Sequence, residues 1–113
     1  MNQKIKARWL KALRSGRYKQ AKGRLRVERE PGEYGFCCLG VLCDLARKSK
    51  IREWDGEFFD GIDDVPPKSV WNWAGLMEPN PVVMTRKGPE TLSALNDRGV
   101  KFSTIANYIE KSL

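Results

Sequence analysis

Phe36-Cys37-Cys38-Leu39-Gly40-Val41-Leu42-Cys43-Asp44-Leu45-Ala46 is the stretch on which the fold turns. From Cys38 to Ala46 only Asp44 is charged, so a helix over these residues is apolar on every face. A helix of that kind belongs in the middle of a protein, with other elements packed round it. Gly40 inside it weakens the helix by about 1 kcal/mol relative to alanine, which points to the close approach of another backbone. Arg47-Lys48-Ser49-Lys50 follows and closes the helix with cations at the negative end of its dipole. The apolar run from Phe36 to Cys43 falls well short of a membrane span.

Upstream, Ile5, Trp9, Leu10 and Leu13 recur at helical spacing and predict a helix over residues 4–14, with Gly16 free to take a left-handed cap. Residues 18–23 read as a loop. Leu25 to Arg29 alternates as a strand does, Pro31-Gly32-Glu33 supplies a turn, and Tyr34 to Cys37 returns as the partner strand. Downstream, Asp55-Gly56 and Asp60-Gly61 punctuate the chain, and a short hairpin is predicted around the first pair. Pro66-Pro67 opens a short helix carrying Val70, Trp71 and Trp73 and ending near Gly75. Val82-Val83-Met84 reads as a small strand. Two helices are predicted to finish the chain, Glu90–Asp97 and Thr104–Leu113, the second with Ser103 as its N-cap. The expected architecture is a small α+β single domain over residues 1–113: a central buried helix, short β-hairpins and peripheral helices.

Composition narrows the chemistry. The chain has 113 residues, enough for one core, and its 41% hydrophobic content is that of a globular protein. It contains no histidine, which removes the usual general base, the Ser-His and Cys-His pairs and most transition-metal sites. The three cysteines lie within Cys37–Cys43, too close together for a disulfide framework and without a second ligand pair for zinc; buried reduced thiols are expected. The charged start, Met1 to Lys6, leads into no long apolar core, and a cytoplasmic location is expected. The net charge of +7 is unevenly spread. Residues 1–27 hold ten Lys or Arg and no acid, whereas residues 53–64 hold six Asp or Glu and no base. A concentrated basic region of this kind marks an anionic partner.

Trp9-Leu10-Lys11-Ala12-Leu13-Arg14-Ser15-Gly16-Arg17-Tyr18-Lys19-Gln20, Gly23-Arg24-Leu25-Arg26, the cysteine segment Phe36 to Leu45, and Leu92 to Gly99 with Phe102 and Ile105-Ala106 together resemble a group of small proteins of phages and prophages. The resemblance covers most of the chain, and the cysteine segment is its most specific part. It implies an origin more than an activity, since most members have no assigned function. Small phage accessory proteins often counter host defences, some by sequestering the nucleotide signals that defence systems produce. The resemblance assigns a role to no residue.

The candidate binding residues therefore come from the chain's own chemistry. Arg14, Arg17, Lys19, Lys22, Arg24 and Arg26 can grip phosphates, and Tyr18 can stack on a base. The competing account is a solvated basic face. Asp44, the lone charge on an apolar helix, sits either on a thin solvent edge or against an arginine, and is expected to orient a basic residue at the edge of a pocket. Trp71 and Trp73 point to different sides of a short helix, which makes Trp71 a candidate for a pocket wall. A thiol at a helix start can be reactive, but packing explains Cys37, Cys38 and Cys43 without a base partner. The acidic segment lacks the EF-hand pattern; it reads as solvated hairpin tips, or as a patch that docks against the basic third of another copy.

The function expected is non-enzymatic binding of a small phosphorylated ligand, a nucleotide immune signal in the phage setting, with no cofactor and no metal. A homo-oligomer is expected, because so short a chain makes a deep pocket most easily between copies. The alternatives are a nucleic-acid-binding regulator that uses the same basic third and an inhibitor that binds a host protein, with a weak hydrolase a remote fourth.

Overall fold

The computed structural model describes Met1–Leu113. Its elements in chain order are α1 (Gln3–Arg14), β1 (Lys19–Gln20), β2 (Arg26–Glu30), β3 (Glu33–Phe36), α2 (Cys38–Lys48), β4 (Trp54–Asp55), β5 (Phe58–Phe59), α3 (Lys68–Trp73), β6 (Val82–Thr85), β7 (Gly88–Thr91), α4 (Leu92–Asp97) and α5 (Phe102–Ser112). This is a small α+β domain. The strands form three small sheets: β1-β3-β2, β4-β5 and β6-β7. No helix is long and apolar enough to cross a membrane.

The apolar segment does form the central helix. Every residue of α2 from Cys38 to Ala46 is buried, Asp44 among them. One core of 24 buried residues wraps it, drawing Trp9 and Leu13 from α1, Val70 from α3, Leu95 from α4 and Ile105 and Ile109 from α5. Trp9 is fully buried and its indole N–H donates to the carbonyl of Cys38 at 3.0 Å, so the largest side chain of α1 pins the start of α2. Gly40 meets the backbone that its presence implied. A Cβ there would lie 1.7 Å from the Leu25 carbonyl oxygen. That oxygen already accepts from the amide of Cys37 at 3.2 Å.

The β2–β3 hairpin forms as its alternation predicts, with Val27 opposite Gly35 and a bulge between Glu28 and Glu30. The β4–β5 hairpin also forms, with Gly56 at φ +60° in its two-residue turn. Four expectations are corrected. Residues 18–23 are not all loop, since β1 pairs parallel to β3 through Lys19–Gly35 and Gln20–Phe36. Pro66-Pro67 does not form the first turn of α3; Pro67 caps a helix that begins at Lys68. Glu90 and Thr91 belong to β7, opposite Val83 and Val82, and the helix starts at Leu92 with the Thr91 hydroxyl accepting from the amide of Ala94. The last helix starts at Phe102, ahead of Ser103, because the side-chain oxygen of Gln20 accepts the Phe102 amide at 3.2 Å.

Gln20 and Asn96 form the clamp that joins these parts. The Asn96 oxygen accepts from the amide of Cys38 at 3.1 Å and from the side-chain amide of Gln20 at 3.0 Å. Its own side-chain nitrogen donates to the carbonyl of Ala21 at 2.7 Å. Asn96 is fully buried, and this bonding of both its polar atoms is what makes that tolerable. Through it, β1 and the loop after it are fastened to α4, α5 and the start of α2. The loop before β1 carries Arg17 and Tyr18, so the clamp also fixes where those two stand.

Candidate anion-binding groove

Tyr18 leaves α1 past the Gly16 cap, which takes φ +75°, and lays its ring against α2. Its hydroxyl donates to an oxygen of Asp44 at 2.6 Å. The other oxygen of Asp44 accepts from the Trp54 indole at 3.0 Å and from Nε of Arg47 at 2.8 Å; Nη2 of Arg47 reaches back to the first oxygen at 3.4 Å. Four donors thus converge on one carboxylate that is 6% exposed. Burial alone pushes its carboxyl up, but the hydrogen bonds from Arg47, Tyr18 and Trp54 and the charge of Arg47 outweigh that and hold it below the ordinary value. The phenol of Tyr18 moves the other way, well above its usual range, through burial first and then its bond to the Asp44 carboxylate. Tyr18 is therefore a neutral, oriented donor.

Two clefts open on either side of this tyrosine. The first, of about 440 Å³, lies between α1 and α2 and is lined by Arg8, Lys11, Ala12, Ser15, Leu45 and the shared Arg17, Tyr18 and Lys48. The second, of about 380 Å³, is lined by Arg26, Phe36, Asp44, Arg47 and the same three shared residues. The two make one groove with Tyr18 as its partition. Six cations line it against a single carboxylate, and that carboxylate is fully engaged. Arg8, Lys11, Arg17 and Lys48 form no ion pair: Arg8 donates to the Ser49 hydroxyl at 3.0 Å, and the Lys48 ammonium stands 5.6 Å from the centre of the Tyr18 ring. At the far end Arg26 donates twice to the carbonyl of Gly56 and lies 3.7 Å from the Tyr34 ring centre and 4.5 Å from that of Trp54. Edge-to-face contacts from Tyr18 to Phe36 at 5.1 Å, Phe36 to Trp54 at 6.0 Å and Trp54 to Phe59 at 4.9 Å back this wall with rigid aromatic packing.

Of the residues singled out in the sequence, Arg17, Tyr18, Arg26 and Asp44 come together here. Lys19 is exposed on β1 and lines neither cleft. Arg14 faces α5, where it pairs with Glu110 at 2.7 Å and bonds Asn107. Arg24 is taken up by the acidic segment, paired with Glu57 at 2.5 Å and Asp63 at 4.0 Å. Trp71 is half-buried against the core on α3 and lines neither cleft. The acidic segment finds its cations within the chain, at Arg24 and, through Asp60, at Arg52. Arg8, Lys11, Arg47 and Lys48 were not singled out. Each has a local explanation as a helix-surface or helix-end cation, and only the packing of α1 beside α2 makes them neighbours.

The three thiols are buried and unbridged. Cys37 caps α2, its sulfur accepting from the amide of Gly40 at 3.3 Å, and burial pushes its thiol up to about 11. Burial also raises Cys38 and Cys43.

The fold and groove thus define a small α+β domain with a two-lobed, acid-poor basic cleft built round a hydrogen-bonded tyrosine. The chain belongs to the family DUF8296, a domain of unknown function, whose pattern it matches over residues 1–113. No curated protein and no solved structure matches it.

Proposed function

We propose that this protein binds a small phosphorylated ligand in the groove centred on Tyr18 and holds it without turning it over. The observation that carries the reading is the set of four cations, Arg8, Lys11, Arg17 and Lys48, gathered in one cleft with no acid paired to any of them. Like charges collected in a cleft raise the local potential and attract a counter-ion of matching size. A volume of about 440 Å³ is of the order that takes a nucleotide-sized molecule. Arginine guanidinium groups and lysine ammonium groups are the donors that phosphate oxygens favour. The groups with exchangeable protons support binding over turnover. Asp44 is held ionised with both oxygens occupied, and Tyr18 is held neutral, so neither is poised near neutral pH. Joined to the resemblance to small phage and prophage proteins, the reading extends to a role, the sequestering of a nucleotide signal raised by a host defence.

A second reading has its own observation. Lys4, Arg8 and Lys11 are exposed along one face of α1 and continue the first cleft as a stripe about 10 Å long, which favours a nucleic-acid backbone. Salt separates the two, because extended phosphate contacts release counter-ions and give a steep dependence.

The test is native mass spectrometry of the protein purified from cells, beside the double variant Arg17→Ala/Lys48→Ala. The wild type is expected to carry a phosphorylated small molecule. The variant, folded by circular dichroism, should bind it at least about tenfold more weakly, at the low end for two exposed charge-assisted contacts. Unchanged binding in the folded variant would remove the groove from consideration.

A further inference from the structure

The groove has a shape as well as a charge. Its two lobes share one wall, formed by Arg17, Tyr18 and Lys48, and each adds cations of its own: Arg8 and Lys11 in the first, Arg26 and Arg47 in the second. Tyr18 cannot swing aside to merge them, because its hydroxyl is tied to Asp44 and its ring is wedged against Phe36. A cation held by its own contacts stands toward each end. Arg8 bridges from α1 to Ser49 beyond α2, and Arg26 is clamped on Gly56 between two aromatic rings. A cleft with a cationic pocket on each side of a fixed aromatic partition fits two separated anionic groups. A single cluster of phosphates would fill one lobe and leave the other, with Arg26 and Arg47 in its wall, empty.

Resting on the reading that the groove binds a phosphorylated ligand, we propose that it recognises a phosphate–nucleoside–phosphate unit, as in a dinucleotide, with one phosphate in each lobe and the nucleoside spanning Tyr18. Arg17 and Lys48, common to both lobes, then contact both phosphates, while Lys11 and Arg47 each serve one.

The experiment is calorimetric titration of the full chain with two probes of similar charge and different spacing: ADP, whose phosphates are adjacent, and the linear 5′-phosphorylated dinucleotide pApA, whose phosphates flank a nucleoside. The dinucleotide should bind tighter by on the order of tenfold or more, since the second contact becomes intramolecular. Arg8→Gln/Lys11→Gln, both on the exposed face of α1 and outside the core, should weaken both probes but pApA about tenfold more than ADP, so that the advantage of the dinucleotide disappears. Lys4→Gln lies on the same face of α1 but outside both lobes, and should change neither. Equal affinities for ADP and pApA in the wild type overturn the two-lobe proposal and leave the simpler binding reading standing. If neither probe binds, that reading fails with it. A ten-nucleotide single strand that binds tighter than pApA and is weakened by Lys4→Gln overturns the proposal in favour of a nucleic-acid backbone.

Discussion

Asp44→Asn keeps the shape of the side chain and removes the charge at the point where α2, the Tyr18 loop and the β4–β5 hairpin meet. In the folded protein one oxygen accepts from Arg47 Nε and Trp54 Nε1, and the other from the Tyr18 hydroxyl and Arg47 Nη2. Asparagine has one acceptor oxygen. It is best placed facing Trp54 and Arg47 Nε, because neither of those can turn from donor to acceptor, whereas the Tyr18 hydroxyl can reverse and accept from the new amide. The loss is then the carboxylate charge on the bonds from Tyr18, Trp54 and Arg47 Nε, the last of which the guanidinium still assists, plus the weak contact at 3.4 Å. Charge-assisted bonds are worth roughly 1.5–3 kcal/mol each against about 1 for neutral ones. The Arg47 side chain is 34% exposed and can turn to water, which discounts its share. The sum is about 1–3 kcal/mol, well short of the cost of stranding a fully buried arginine, and corresponds to a fall in Tm of about 4–12 °C at this chain length. The pH dependence follows from the depressed carboxyl. Such a group stabilises the protein above its unfolded value and loses that contribution as pH falls through the lower folded value. The gap between wild type and variant should be full at neutral pH and close below the range of an ordinary aspartate. Thermal melts of both proteins across that range measure it. Equal Tm values at neutral pH would refute the hub, and a gap that ignores pH would assign it to packing instead of charge.

Gly40→Ala should destabilise the protein by upwards of about 3 kcal/mol although alanine is the better helix former, because its Cβ would drive the Leu25 carbonyl off the Cys37 amide; urea unfolding decides it, and equal or greater stability would mean that the two backbones do not meet as described. Serine replacements should part company by position. Cys37→Ser leaves stability unchanged or raises it by up to about 1 kcal/mol, since serine is a good N-cap and the Gly40 amide awaits it, whereas Cys43→Ser costs about 1–3 kcal/mol with a hydroxyl buried without a partner; the same loss at both positions would contradict the cap.

What could be read in the sequence was what neighbouring residues decide among themselves. The central helix announced itself by composition, the β2–β3 and β4–β5 hairpins by alternation and turn residues, and Gly40 by its presence where a helix has no local use for glycine. Element starts set by distant partners could not be read that way. Serine at 103 has every local qualification for an N-cap, yet α5 begins before it because the acceptor for its first amide is Gln20, 82 positions away in the chain. Asn96 lies one residue before the predicted end of the Glu90–Asp97 helix, where a helix terminus alone would explain it, and is instead a buried clamp whose role is visible only once Gln20, Ala21 and Cys38 surround it.

The groove repeats that lesson in charge. Ten cations in the first 27 residues and six acids in residues 53–64 are facts of the sequence, but which cations end up neutralised is a fact of topology. The acidic segment folds beside β2, so Arg24 is consumed by Glu57 and Asp63, and Arg26 is turned onto the Gly56 carbonyl. Arg14 points to α5 and meets Glu110. On the α1–α2 face no acid arrives except Asp44, and it is spent on orienting Tyr18, Trp54 and Arg47. Arg8, Lys11, Arg17 and Lys48 are left facing one another across a cleft. Four like charges held together by the packing of two helices are an arrangement that the fold tolerates and an anion relieves, which is why the groove, and not the basic third as a whole, is the place to look for the ligand.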